Sequence, residues 1–113
     1  MGIDFSHTEA YWAYSGFHRF RLRLAQEIQI DLEMMDGFGG DIPFDSVNDS
    51  IKPLLDHSDC EGELTPEECA KVAPRLRELV AAWPDDDRDK INALRLAEGM
   101  ERASANVENL IFK

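Results

Sequence analysis

Four consecutive residues, Thr65-Pro66-Glu67-Glu68, constrain the fold more than any other part of the chain. Thr65 can accept from backbone N–H groups at a helix start, Pro66 suits the first helical position, and Glu68 can reach back to close a capping box. The apolar residues that follow, Cys69, Val72, Leu76, Leu79 or Val80, and Trp83, fall at helical spacing with one buried face. Pro74 lies inside this helix and should bend it. Pro84 ends it, and the acids Asp85 to Asp87 open another, because negative charge suits the positive end of a helix dipole.

The last helix is expected to turn Ile91, Leu94, Ala97 and Met100 inward, with Leu96 beside them. Arg88, Lys90, Arg95, Glu98 and Arg102 are expected to face solvent. Toward the N-terminus, Phe17, Phe20, Leu24 and Ile28 predict a helix from Phe17 to about Leu32, capped by Ser15. Arg19 and Arg23 share its outer face, and Arg21 lies to one side. Asp36-Gly37-Phe38-Gly39-Gly40-Asp41 is a loop, with Phe38, Ile42 and Phe44 as its anchors to the core. A short helix carrying Val47, Ile51, Leu54 and Leu55 follows, and Pro53 requires that it start late. Tyr11 to Tyr14 reads as a strand with Trp12 and Tyr14 on one face, and Asn109 to Phe112 as a second strand that pairs with it. The expected fold is mainly α (α+β), a single domain over residues 1–113 with about four helices and a small two-stranded sheet from the N- and C-terminal strands.

Charge narrows the function. The net charge of −11 is concentrated: residues 31–63 carry ten acids against Lys52 alone. Such a field repels a phosphate backbone and attracts metal cations and basic protein surfaces, so direct nucleic-acid binding is not expected. No apolar run approaches membrane-spanning length. No apolar N-terminal signal segment follows a basic start, so a cytoplasmic, reducing setting is expected. Cys60 and Cys69 are then not expected to form a disulfide.

Within the acidic stretch, one spacing carries chemistry. His57-Ser58-Asp59-Cys60-Glu61-Gly62-Glu63-Leu64-Thr65-Pro66-Glu67-Glu68 places Gly62 at the sixth of twelve positions, where a calcium loop turns sharply. Oxygen ligands are wanted at positions 1, 3, 5, 7, 9 and 12, which are His57, Asp59, Glu61, Glu63 (through its carbonyl), Thr65 and Glu68. Leu64 falls at position 8, which packs inward. This run resembles an EF-hand loop, with His57 where that family carries aspartate and Glu61 longer than its usual residue. It is also similar to a run in small bacterial proteins of uncharacterised activity. The resemblance implies an EF-hand-like helix–loop–helix and calcium as the ion.

Competing chemistry is weaker. His57, Cys60 and Cys69, completed by His7 or His18, could in principle hold zinc, but no C-x-x-C pair is present. Cys60 lies among carboxylates, which raise a thiol pKa and oppose nucleophilic use. No phosphate-cradling glycine loop precedes a lysine. Tyr11, Trp12, Tyr14, Phe17 and Phe20 form an aromatic group suited to a core or to an interface. The expected function is that of a non-enzymatic, acidic interaction protein with an EF-hand-like, calcium-accepting loop. The alternative is an inhibitor or nucleic-acid mimic that covers a basic groove on a protein partner.

Overall fold

A computed structural model describes residues 2–58 and 62–113. The elements in chain order are β1 (Gly2–Asp4), β2 (Tyr11–Ala13), α1 (Tyr14–Glu27), α2 (Lys52–Leu55), β3 (Gly62–Leu64), α3 (Pro66–Val80), α4 (Arg88–Ala105) and β4 (Leu110–Phe112). Short 3-10 turns at Leu32–Met34 and Phe44–Ser46 punctuate the long connection between α1 and α2. Among the described residues the fold thus has four helices and two small antiparallel strand pairs, β1 with β2 at the N-terminus and the mid-chain β3 with the C-terminal β4, and its radius of gyration is 13.0 Å.

The strand pairing differs in one respect from expectation. The segment around Tyr11 pairs with Gly2–Asp4, Ile3 opposite Trp12, and not with the C-terminal strand. The C-terminal strand pairs with β3, Leu64 opposite Leu110. The chain ends still meet: Phe5 bridges Phe112, Ser6 N–H donates to Ile111 O at 2.9 Å, and Lys113 N–H donates to Asp4 O at 2.9 Å. Physically, Gly2 to Phe5 forms a hairpin with β2 and occupies the edge that the C-terminal strand was expected to take. Ile3, Trp12, Leu64, Leu110 and Phe112 all turn inward from these strands. Phe5, Trp12, Phe17, Phe20 and Phe112 interlock, with Trp12 stacked on Phe20 at 4.5 Å between centroids. The aromatic group is therefore core, except for Tyr11, which is exposed, and the half-buried Tyr14.

α1 starts and stops earlier than its apolar spacing suggests. Its N-cap is Ala13, with no side-chain cap, and Ser15 lies inside the first turn. At the other end Gln29 adopts φ 61°, Gln29 N–H donates to Gln26 O, and Ile30 N–H donates to Ala25 O. This is a Schellman closure, which usually uses glycine. α4 ends the same way with Val107 at φ 55°, Val107 N–H donating to Ser104 O and Glu108 N–H to Ala103 O.

α3 begins as expected, with both arms of the Thr65/Glu68 capping box formed, and it continues through the exposed Pro74. Cys69, Val72, Leu76, Leu79, Val80 and Trp83 are all buried. α2 is a single turn, which places Pro53 in its first turn where the missing N–H costs nothing. Val47 is buried but precedes that helix, and Ile42, expected as an anchor, is exposed.

α4 is rotated relative to its expected stripe. Ala93, Leu96, Ala97, Met100 and Ala103 are buried, whereas Ile91 is exposed and Leu94 half-buried. Small side chains let α4 lie close to its neighbours: a Cβ on Gly99 would come within 2.7 Å of Thr8. Lys90, expected in solvent, is only 8% exposed. Its ammonium donates to Ala81 O at 3.1 Å, Trp83 O at 2.9 Å and Asp85 at 2.7 Å, so it satisfies the carbonyls at the C-terminal end of α3.

Candidate functional site

The connection from α2 to α3 carries the expected metal ligands, and the fold engages several of them with one another. Gly62 sits at φ +114°, a conformation that favours glycine, and a Cβ there would lie 2.9 Å from the His57 ring. His57 stacks on Phe112 at 3.9 Å between centroids. Its Nδ1 faces Ser58 O at 2.9 Å and its Nε2 faces Glu63 O at 3.2 Å. A neutral imidazole donates to one such carbonyl, and a protonated one to both. The Glu63 carbonyl, expected as the seventh-position ligand, therefore faces His57.

Thr65 and Glu68 are similarly occupied. Glu68 N–H donates to the Thr65 hydroxyl at 3.1 Å, and Thr65 N–H donates to the Glu68 carboxylate at 2.9 Å. Leu64, at the inward-packing position, is buried against the core. Asp59 and Glu61, the third and fifth positions, and Cys60 lie outside the described residues. Among the described residues no three His, Cys, Asp or Glu side chains converge as a metal-binding group.

The alternative zinc set is dispersed as far as it is described. Cys69 is buried, its Sγ 4.0 Å from Leu64 O, and burial pushes its thiol up to about 11 despite an opposing backbone hydrogen bond. A buried thiol with a raised pKa is protonated at neutral pH and so a poor nucleophile. His7 bonds Ser6 and the Glu108 carboxylate, whereas His18 stacks on Phe38.

The residue missed in the sequence is Arg21. It is 1% exposed and its Nη1 donates to the carbonyls of Leu54 (3.5 Å), Leu55 (3.3 Å) and His57 (2.6 Å). Its guanidinium lies 4.7 Å from the Phe17 ring centroid and 5.0 Å from that of Phe38. A buried cation thus closes the C-terminal end of α2 and holds the entry to the loop, as a positive charge at a helix C-terminus should. The signal was present: position 21 lies four after Phe17 and three before Leu24, on the buried stripe itself. Next to Arg21, a cleft of about 580 Å³ is lined by His18, Asp36, Phe38, Asp56 and His57.

Pairing of the acids is uneven. Asp49 is held by Arg75 through two parallel hydrogen bonds of 3.0 Å, which lower its pKa. Asp87 and Asp89 bind Arg23, whose guanidinium also covers the Trp83 ring at 3.8 Å, so Arg23 is not merely a solvated outer-face residue. Glu101 binds Arg77, and Glu98 binds Arg102. By contrast, Asp31, Glu33, Asp36, Asp41, Asp45, Asp56 and Glu63 are exposed and form no ion pair among the described residues.

Comparison with protein-family models, with curated proteins and with solved structures found no match to this chain. No helix is long and apolar enough to cross a membrane among the described residues.

Proposed function

We propose that this chain is a non-enzymatic interaction protein that docks the acidic segment 31–63 on a basic surface of a protein partner. The observation that supports this reading is the concentration of seven exposed carboxylates within one segment, Asp31 to Glu63, that form no ion pair among the described residues. Leaving carboxylates unneutralised costs self-repulsion, and a partner's Lys and Arg side chains relieve it on binding. The same surface can compete with nucleic acid for a basic groove, which is how an acidic inhibitor would act.

The test is a charge-matched pair of variants. One carries Glu33→Gln, Asp36→Asn, Asp41→Asn and Asp45→Asn. The other carries Glu9→Gln, Glu27→Gln, Glu67→Gln and Asp86→Asn, all exposed positions. Affinity for a fluorescent polylysine of about 20 residues is read at low and high salt. The first set should weaken binding more than the second, and binding should fall steeply with salt. Equal losses would leave only bulk charge and remove the reading.

A second reading places calcium in the 57–68 loop. Gly62 in its left-handed conformation, Leu64 turned inward and Glu68 in the first turn of α3 are the features that favour it. Binding would require Glu68 to exchange its capping hydrogen bond for the ion.

A further inference from the structure

The acidic segment contains an apolar groove. Met34 is 51% exposed and Ile42 39%, and both stand beside a cleft of about 270 Å³ whose floor includes the buried Met35 and Val47. Gln29, Ile30 and Asp31 line the same cleft, and they continue into an adjoining depression that adds Glu33. The walls are set by backbone bonds. Ile42 N–H donates to Met34 O at 3.1 Å, and Asp36 N–H donates to Ile42 O at 2.8 Å. Gly40 lies so close to Met34 that a Cβ would come within 2.1 Å of its backbone. The groove is therefore organised before anything binds, which lowers the cost of binding.

We infer that this groove receives an amphipathic helical segment of a basic protein partner, its apolar side chains entering beside Met34 and Ile42 and its Lys and Arg residues meeting the acidic rim. The inference rests on the acidic-docking reading and specifies its partner. Two observations select this occupant. The cleft of about 270 Å³, with the depression that continues it, has room for several apolar side chains of another protein. The charged side chains that line the cleft and its adjoining depression are both negative, Asp31 and Glu33, and Asp41 precedes Ile42 in the chain; all three are exposed and without ion pairs among the described residues. A second copy of this chain would set these carboxylates against their own copies, which like-charge repulsion opposes. Methionine walls also adapt to differently shaped apolar side chains.

The experiment uses two labelled peptides of about 18 residues with identical Leu and Lys content. In one, Leu recurs at helical spacing; in the other, the same residues are scrambled. Binding to the full chain and to the Met34→Ser/Ile42→Ser variant is followed by fluorescence anisotropy, with folding of the variant checked by circular dichroism. Met34→Ser alone serves if the double variant unfolds. The amphipathic peptide should bind about tenfold more tightly than the scrambled one, and the variant should lose that margin while binding the scrambled peptide unchanged. Equal binding of both peptides, or a variant that keeps the margin, overturns the groove and leaves the acidic surface intact. Failure of both peptides to bind even at low salt overturns the acidic-docking reading with it. A concentration-dependent dimer that the variant abolishes would make a second copy the occupant and overturn the assignment.

Discussion

Arg21 Nη1 donates to the carbonyl oxygen of His57 at 2.6 Å, and through this bond the first long helix holds the start of the acidic loop. The same nitrogen faces the carbonyls of Leu54 and Leu55. The loop is therefore anchored at its entry by a buried cation and at its exit by the capping box of α3.

Replacing Arg21 with Met should be among the most destabilising single changes. It leaves buried carbonyls without their donor, and the desolvation cost of such groups sets the expected loss at about 2–4 kcal/mol. Urea unfolding at neutral pH measures it. A loss below about 1 kcal/mol would mean that water replaces the guanidinium at those carbonyls.

Val107→Gly should stabilise the protein. Val107 is 78% exposed and adopts φ 55°, a region costly for a β-branched residue, so glycine removes strain without removing packing. A gain of about 1 kcal/mol is expected, which raises the thermal midpoint by several degrees. An unchanged or lower midpoint would contradict the closure described for α4.

Calcium binding is checked by thermal unfolding of metal-stripped protein with and without the ion. Calcium at about 100 times its dissociation constant adds roughly 2.7 kcal/mol to a working site. The rise should vanish in Glu68→Gln, whereas Thr65→Ala should reduce it and also lower the metal-free midpoint through loss of about 1 kcal/mol of capping. A melting curve that calcium leaves unmoved ends the calcium reading.

Acid should selectively erase the contribution of the Asp49–Arg75 pair. The Arg75 guanidinium holds the Asp49 carboxyl below its usual range, against the opposing effect of burial. A carboxylate depressed in the folded state stabilises above the unfolded value of about 3.9 and loses that contribution as pH falls through the folded one. Asp49→Asn should therefore cost about 1 kcal/mol at pH 6, a figure already reduced for solvent screening, and progressively less below about pH 4. Comparing urea unfolding of the two proteins at both pH values cancels the general effect of the net charge. A cost independent of pH would assign the effect of the substitution to side-chain packing and not to the charge of the carboxylate.

Local chemistry was legible wherever it is decided by neighbours in the chain. The Thr65/Glu68 box, the α3 stripe ending at Trp83, the Asp87 start of α4 and the glycine turns at Gly37, Gly39 and Gly62 all follow from propensity, capping and spacing. The ends of α1 and α4 did not, because Gln29 and Val107 occupy positions that glycine usually signals. The candidate loop was legible as a spacing, but spacing cannot tell whether Glu63, Thr65 and Glu68 turn to an ion or to each other.

By itself, then, the sequence determined a helical domain, the start of its central helix, its inward residues there and the concentration of negative charge in residues 31–63. Only the tertiary structure decided which strand lies beside the C-terminus, which face of α4 is buried, and that Arg21 and Lys90 leave water to satisfy helix ends. The reason is physical. A charged side chain leaves water only where partners converge on it, which for Arg21 are carbonyls in a distant part of the chain and for Lys90 the turn that leads out of α3, and strand neighbours are chosen by competition among suitable edges.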